Sequence, residues 1–136
     1  MKTVDIGRFG EKQAARSLKK KRLKILAKNL HISHNEIDII AKDVKNRVII
    51  FVEVKARSVD DDLYSRFGTP ASAVTKSKQK RTIDAARTYI SQNVKLQNYA
   101  VRFDVIEVYG EETGNVPPEI DHITNVKLFP PNWRFW

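Results

Sequence analysis

Two short runs of the sequence each set charged groups two residues apart. RVIIFVEVKAR (47–57) carries Glu53 and Lys55, and EIDIIAK (36–42) carries Glu36 and Asp38. Both runs are rich in β-branched residues and read as strands. Side chains on a strand alternate faces, so each charged pair shares a face. On the later run Val48, Ile50, Val52, Val54 and Ala56 take one face, while Ile49 and Phe51 share the other with Glu53 and Lys55. On the earlier run Ile37, Ile39 and Ala41 take one face, and Glu36, Asp38 and Ile40 the other. Strands apolar on both sides are normally buried on both sides. A carboxylate there is costly unless it is paired or binds a metal.

If the two strands are neighbours, Glu36, Asp38 and Glu53 converge. Two carboxylates 4 Å apart repel by about 4 kcal/mol at an effective dielectric of roughly 20. Lys55 offsets part of that, and a hard divalent cation offsets more. Mg²⁺ takes one or two carboxylates together with water and phosphate oxygens. The plainer alternative is an ion pair of Lys55 with Glu53 or Asp38 at the end of a sheet, satisfying charge and nothing else.

The elements that must position these groups follow from periodicity. Residues 5–21 read as a helix, with Asp5 able to cap its start and Ile6, Phe9, Gly10, Ala14, Ala15 and Leu18 on one stripe. LKILAKNL (23–30) reads as a first strand, 36–42 as a second and 47–57 as a third. Asp43, Val44, Lys45 and Asn46 form a turn, so the second and third strands make an antiparallel hairpin. Residues 58–72 read as a loop, about 75–93 as a second helix, 99–109 as a fourth strand and 119–124 as a short strand. EETGNVPP is a loop, and the PPNWRFW tail is irregular. Helix, three strands, helix and further strands pack economically as a mixed sheet with a helix on each face. Arg102 and Asp104 share a strand face and read as an internal polar pair, with a role in the site as the alternative.

Composition bounds the class. The chain has 136 residues, the size of one domain. The expected division is a single domain over residues 1–129 and an aromatic tail over 130–136. With 41% hydrophobic and 30% charged residues it reads as globular. There is no cysteine, which excludes disulfides and thiolate metal sites. No apolar signal core or membrane-length run is present, so the expected setting is the cytoplasm, with no membrane partner. His31, His34 and His122 lack metal-ligand spacing and read as surface or structural residues.

The net charge is +9, and residues 1–30 hold ten Lys or Arg against two acids, Asp5 and Glu11. A basic segment attracts polyanions, nucleic acid above all. Lys19, Lys20, Lys21 and Arg22 at the end of the first helix also suit its dipole, which is the simpler account of that run. The second helix is different. Lys76, Lys78, Lys80 and Arg81 crowd its first turns, where cations oppose the dipole but a phosphate would be received. Arg57 and Lys20 are further candidate contacts to nucleic acid.

With these residues in view, Asp38 followed by Glu53-x-Lys55 resembles the D…(D/E)xK signature of the PD-(D/E)xK nuclease superfamily. The whole chain apart from the tail resembles the narrower YraN-like family of uncharacterised bacterial proteins, which is similar to archaeal-type Holliday junction resolvases. The stretches that carry this are Gly7-Arg8-Phe9-Gly10-Glu11, Ala14-Ala15, Ile25-Leu26-Ala27, Asn29, the 36–41 and 51–57 runs, Ala73-Val74, Ala85-Ala86, Arg102-Phe103-Asp104 and His122-Ile123. The resemblance implies an α/β, restriction endonuclease-like αβββαβ core, a mixed central sheet flanked by helices. It implies Asp38 and Glu53 as ligands to Mg²⁺ (or Mn²⁺), with the Val54 carbonyl. Lys55 would act on the attacking water, Glu11 would be an accessory acid and Gln79 a supporting polar group. Asn35 stands where the family usually has Gly, and Asn tolerates left-handed backbone well. His31 stands where an upstream Arg is common.

The expected function is therefore a Mg-dependent endonuclease on DNA, in particular branched DNA. Its rivals are a catalytically silent nucleic-acid-binding module, and an adaptor or homodimer held through Trp133, Phe135 and Trp136.

Overall fold

Apolar residues recurring every three or four positions make the first element helical, and in the computed structural model it spans Thr3–Lys20 (α1). The structure describes the backbone of residues 3–57, 76–110 and 117–126, and the side chains of these apart from residues 3–6 and 76–79. Because α1 begins at Thr3, Asp5 lies inside its first turn and does not cap it. Lys19 and Lys20 occupy the last turn, as the helix dipole favours.

The remaining elements are β1 (Lys24–Ile32), β2 (Asn35–Asp43), β3 (Val48–Arg57), α2 (Lys76–Ser91), a 3-10 turn (Val94–Leu96), β4 (Ala100–Tyr109) and β5 (Glu119–Ile123). The strands form one sheet in the order β1-β2-β3-β4-β5. β3 and β4 are parallel, and every other neighbour is antiparallel. A parallel pair needs a crossover, and α2 lies in it. This is the mixed α/β sheet with a helix on each face, consistent with the αβββαβ restriction endonuclease-like core. Element ends differ from the periodicity reading by one or two residues, as frayed ends do. The expected loop 58–72, most of EETGNVPP and the aromatic tail lie outside the described residues.

Two apolar layers hold the sheet. On one face Phe9, Ala14, Ala15 and Leu18 of α1 pack on Ile39, Ala41, Ile50, Val52, Ile106 and Val108. On the other, Ala85, Ala86 and Ile90 of α2 pack on Ile40, Ile49, Phe51, Phe103 and Val105. Phe51 stacks on Phe103 and meets Tyr89 edge-on, at centroid distances of 5.6 and 6.0 Å. Each fully buried large aliphatic or aromatic side chain contributes ~2 kcal/mol of transfer free energy.

Two local features shape the sheet near the acids. Gly10 lets α1 lie directly on β3, since a Cβ there would stand 2.6 Å from the Ala56 Cβ. The residue after Gly10 is Glu11. The second feature corrects the expected alternation of β2. Ile39 and Ala41 face α1 as expected, but Ile37 joins Ile40 in the layer under α2. Residues three apart cannot share a face in a regular strand. Opposite this break, Asn29 of β1 has φ 49° and falls between the pairs Lys28–Ile39 and Leu30–Ile37. The hairpin before it turns on Ser33 and His34, with φ of 48° and 70°. Left-handed backbone at both positions is the twist-matched two-residue turn. It falls on those two residues rather than on Asn35, which already belongs to β2.

Candidate functional site

The hairpin of β2 and β3 is paired from Asp43–Val48 to Ile39–Val52 and no further among the described bridges. Continuing that register would set Ile37 against Val54. Among the described residues that pairing does not form, and the Val54 N–H donates instead to Asp38 Oδ2 at 2.8 Å. A buried backbone N–H must find a partner, and here a carboxylate supplies it. Asp38 is thereby held against the strand that carries Glu53 and Lys55.

Asp38, Glu53 and Glu36 line one cavity of about 350 Å³. Its wall also includes His34, Asn35, Arg81 and Thr82, and its apolar floor is Ile37, Phe51, Phe103, Val105 and Val126. Burial raises the Asp38 carboxyl to a pKa of about 6, the nearby charges of Glu11, Glu53 and Glu36 push the same way, and the Val54 N–H opposes them. Three acids thus act on Asp38 in a partly desolvated place. Lys55 lies beside them, its Nζ 3.1 Å from Glu53 Oε1. Both side chains of that pair keep about a fifth of their surface exposed, at 23% and 22%.

The structure therefore brings together Glu36, Asp38, Glu53 and Lys55, and sets Glu11 of α1 near enough to act on Asp38 electrostatically. Arg81 reaches the cavity wall, and Lys80 is exposed beside it on α2. The side chains of Lys76, Lys78 and Gln79 lie outside the described residues. Lys20 is exposed in the last turn of α1 and does not line the cavity. Arg57 follows Lys55 on the same strand face, and its Nε is buried without a partner among the described residues. Trp133, Phe135 and Trp136 lie outside the described residues. His34, Asn35 and Thr82 line the cavity without having been singled out for it. The two-residue turn and the start of β2 carry the first two there, and no residue spacing announces that.

Among the described residues no group of three or more His, Cys, Asp or Glu side chains stands close enough to hold a metal ion unaided. The acidic donors the cavity offers are carboxylate oxygens, all hard.

A second polar cluster sits across β4 and β5. Arg102 donates to both carboxylate oxygens of Asp104, at 2.9 and 3.0 Å. His122 Nε2 lies 2.8 Å from Asp104 Oδ2, and the Asn125 N–H donates to Oδ1 at 2.9 Å. These donors outweigh burial and hold the Asp104 carboxyl below its ordinary range. This is the expected internal pair, extended by His122, and it fastens the chain after β5 so that Val126 reaches the cavity floor.

The family model described as "Uncharacterised protein family UPF0102" matches residues 10–108. A UPF0102 protein of Clostridium perfringens is 48% identical over 103 residues, covering 76% of this chain and 78% of its own length. One from Clostridioides difficile is 45% identical over 125 residues, covering 92% of this chain and 98% of its own. One from Caldanaerobacter subterraneus is 41% identical over 120 residues, covering 88% and 92%.

Proposed function

This chain belongs to the UPF0102 family, and we propose that it is a Mg²⁺- or Mn²⁺-dependent endonuclease acting on DNA, branched DNA in particular. The observation that carries the reading is Asp38 and Glu53 on one cavity wall, with Lys55 bonded at its edge. The donors fit a cation that asks little of the protein. Mg²⁺ is content with one or two carboxylates, water and the phosphate itself, so the lack of a three-acid grip suits it. Neutralising the crowded charge around Asp38 also gives the ion a driving force.

Asp38 and Glu53 would hold the ion. The Val54 carbonyl lies on the same strand edge as the Val54 N–H that Asp38 accepts, which suits a third oxygen ligand. The bound ion would supply Lewis acidity toward the phosphate and acidify water. Lys55 orients the attacking water and stabilises the charge that gathers on the phosphate oxygens as the P–O bond breaks. Glu11 and Glu36 add negative potential, and Arg81 and Lys80 position the backbone of the substrate. Such a protein works in the cytoplasm; among the described residues no helix is long and apolar enough to cross a membrane.

The test is cleavage of labelled duplex, flap and four-way junction DNA with either ion. Product is expected from the parent and not from Asp38→Ala or Lys55→Ala. Cutting that persists in both variants sinks the assignment. A second reading, a nucleic-acid-binding module without turnover, is favoured by the ion pair that engages Glu53 with Lys55. Salt-dependent binding with no product under any divalent ion would select it.

A further inference from the structure

At the opposite end of β2 from Asp38, positive charge gathers around one tyrosine. Lys42 Nζ lies 4.9 Å from the centroid of the Tyr99 ring, and the Arg47 guanidinium carbon 4.6 Å from it. Lys24 pairs directly with Lys42 across the β1–β2 ladder. Lys45 is exposed in the same turn as Arg47. Like charges set directly opposite each other on a sheet destabilise it. Among the described residues, no carboxylate forms an ion pair with any of these four cations. The nearest acid in the turn, Asp43, is taken by Asn46, which donates its side-chain N–H at 2.8 Å and its backbone N–H at 3.1 Å. Arg47 also holds left-handed backbone at φ 57°, with its carbonyl accepting the Ala100 N–H at 3.0 Å. The side chain is thus aimed by the fold and not by a counter-charge.

We propose that Lys42 and Arg47 on the Tyr99 ring, with Lys24 across the ladder and Lys45 in the turn, form a second phosphate-contacting surface, which grips the nucleic-acid backbone away from the cavity. Tyr99 keeps two cations close to one ring, a role cation–π attraction fills well. Lys42 lies on the face of β2 that carries Ile40 and α2, the same face as the cavity floor. Four residues of strand separate it from Asp38, about 13 Å. That is about four base steps along a duplex axis. The inference deepens the endonuclease reading by adding a substrate requirement: duplex must continue about four base pairs from the attacked phosphate toward this surface.

The test is binding of a labelled duplex to the full chain, without divalent ion, as a function of salt. Each phosphate contact adds about 0.9 to the log–log salt slope. Lys42→Ala/Arg47→Ala is expected to lower the slope by about 2 and to weaken binding at least tenfold at low salt. Its melting temperature should hold or rise, since a repulsion is relieved. A duplex truncated on this side should bind the parent as weakly as the variant binds full-length DNA. If the parent cuts DNA and the variant shows an unchanged slope and affinity, this surface is overturned and the site reading stands. If the slope falls as expected but no divalent ion yields product, the surface stands and the endonuclease reading is overturned.

Discussion

Asp38 Oδ2 accepts the Val54 N–H at 2.8 Å, and this one bond fastens the acid of β2 to the strand that carries Glu53 and Lys55. Among the described residues β2 pairs with β3 only from Ile39 to Asp43, so Asp38 lies just outside that ladder. A regular strand would have spent the Val54 N–H on a backbone carbonyl.

Removing the charge at that position should stabilise the protein at neutral pH. The Asp38 pKa rises from 3.8 to about 6 on folding, chiefly through burial. Between those values the folded chain binds more protons than the unfolded one, so stability falls as pH rises through the window and stays lower above it. Two pH units correspond to ~3 kcal/mol, discounted to about 1–2 for partial exposure. Urea unfolding of Asp38→Asn should show a gain of that size near neutral pH that fades by about pH 4. A gain equal at both pH values would contradict burial of the charged carboxylate as its cause.

Lys55 is expected to act on rate rather than on binding. Lys55→Met should lower single-turnover cleavage by about 10²–10³ while leaving the duplex affinity within a few-fold of the parent. Loss of affinity in step with rate would assign Lys55 to substrate binding instead.

Gly10 and Ala56 should behave as a coupled pair. Gly10→Ala forces a Cβ to 2.6 Å from the Ala56 Cβ, and overpacking of this kind costs about 1–3 kcal/mol. Adding Ala56→Gly should restore much of the loss, which a double-mutant cycle in thermal or urea unfolding will read. Simple additivity would show that the contact is not what limits this position.

Asp104→Ala should be the most damaging of these changes. It removes the one buried acid that Arg102, His122 and the Asn125 N–H share, and losing these partly buried contacts together costs about 3 kcal/mol. The sign in pH is opposite to that of Asp38. The Asp104 carboxyl is lowered on folding, so its contribution is present above the ordinary carboxylate range and is lost as pH falls through the folded value. Acid unfolding of the parent should steepen below about pH 4, and the variant should lack that steepening.

The fold was legible because its signals were local. The β-branched run of β3, the stripe Phe9, Ala14, Ala15 and Leu18, and the turn after Asp43 each reflect one element's own burial. Asp38 and Glu53 could be picked out for the same reason, since each stands two residues from another charged group on a strand-like run, but the bond that fastens Asp38 to Val54 could not. Ile37 was not legible. Its place in the layer under α2 coincides with left-handed backbone at Asn29 of the neighbouring strand, and no period within β2 encodes it. Glu11 could be placed only by family resemblance, because its approach depends on a glycine contact between α1 and β3. His34, Thr82 and the Lys42–Tyr99–Arg47 group come from separate elements, and spacing along the chain carries no sign of them.

Crystals soaked in Mn²⁺ and measured for anomalous scattering test the metal centre most directly. One peak is expected between Asp38 and Glu53, adjoining the Val54 carbonyl and absent from Asp38→Asn crystals treated alike. A Mn²⁺ concentration that supports cleavage in solution yet leaves no peak at these carboxylates would contradict the proposed centre.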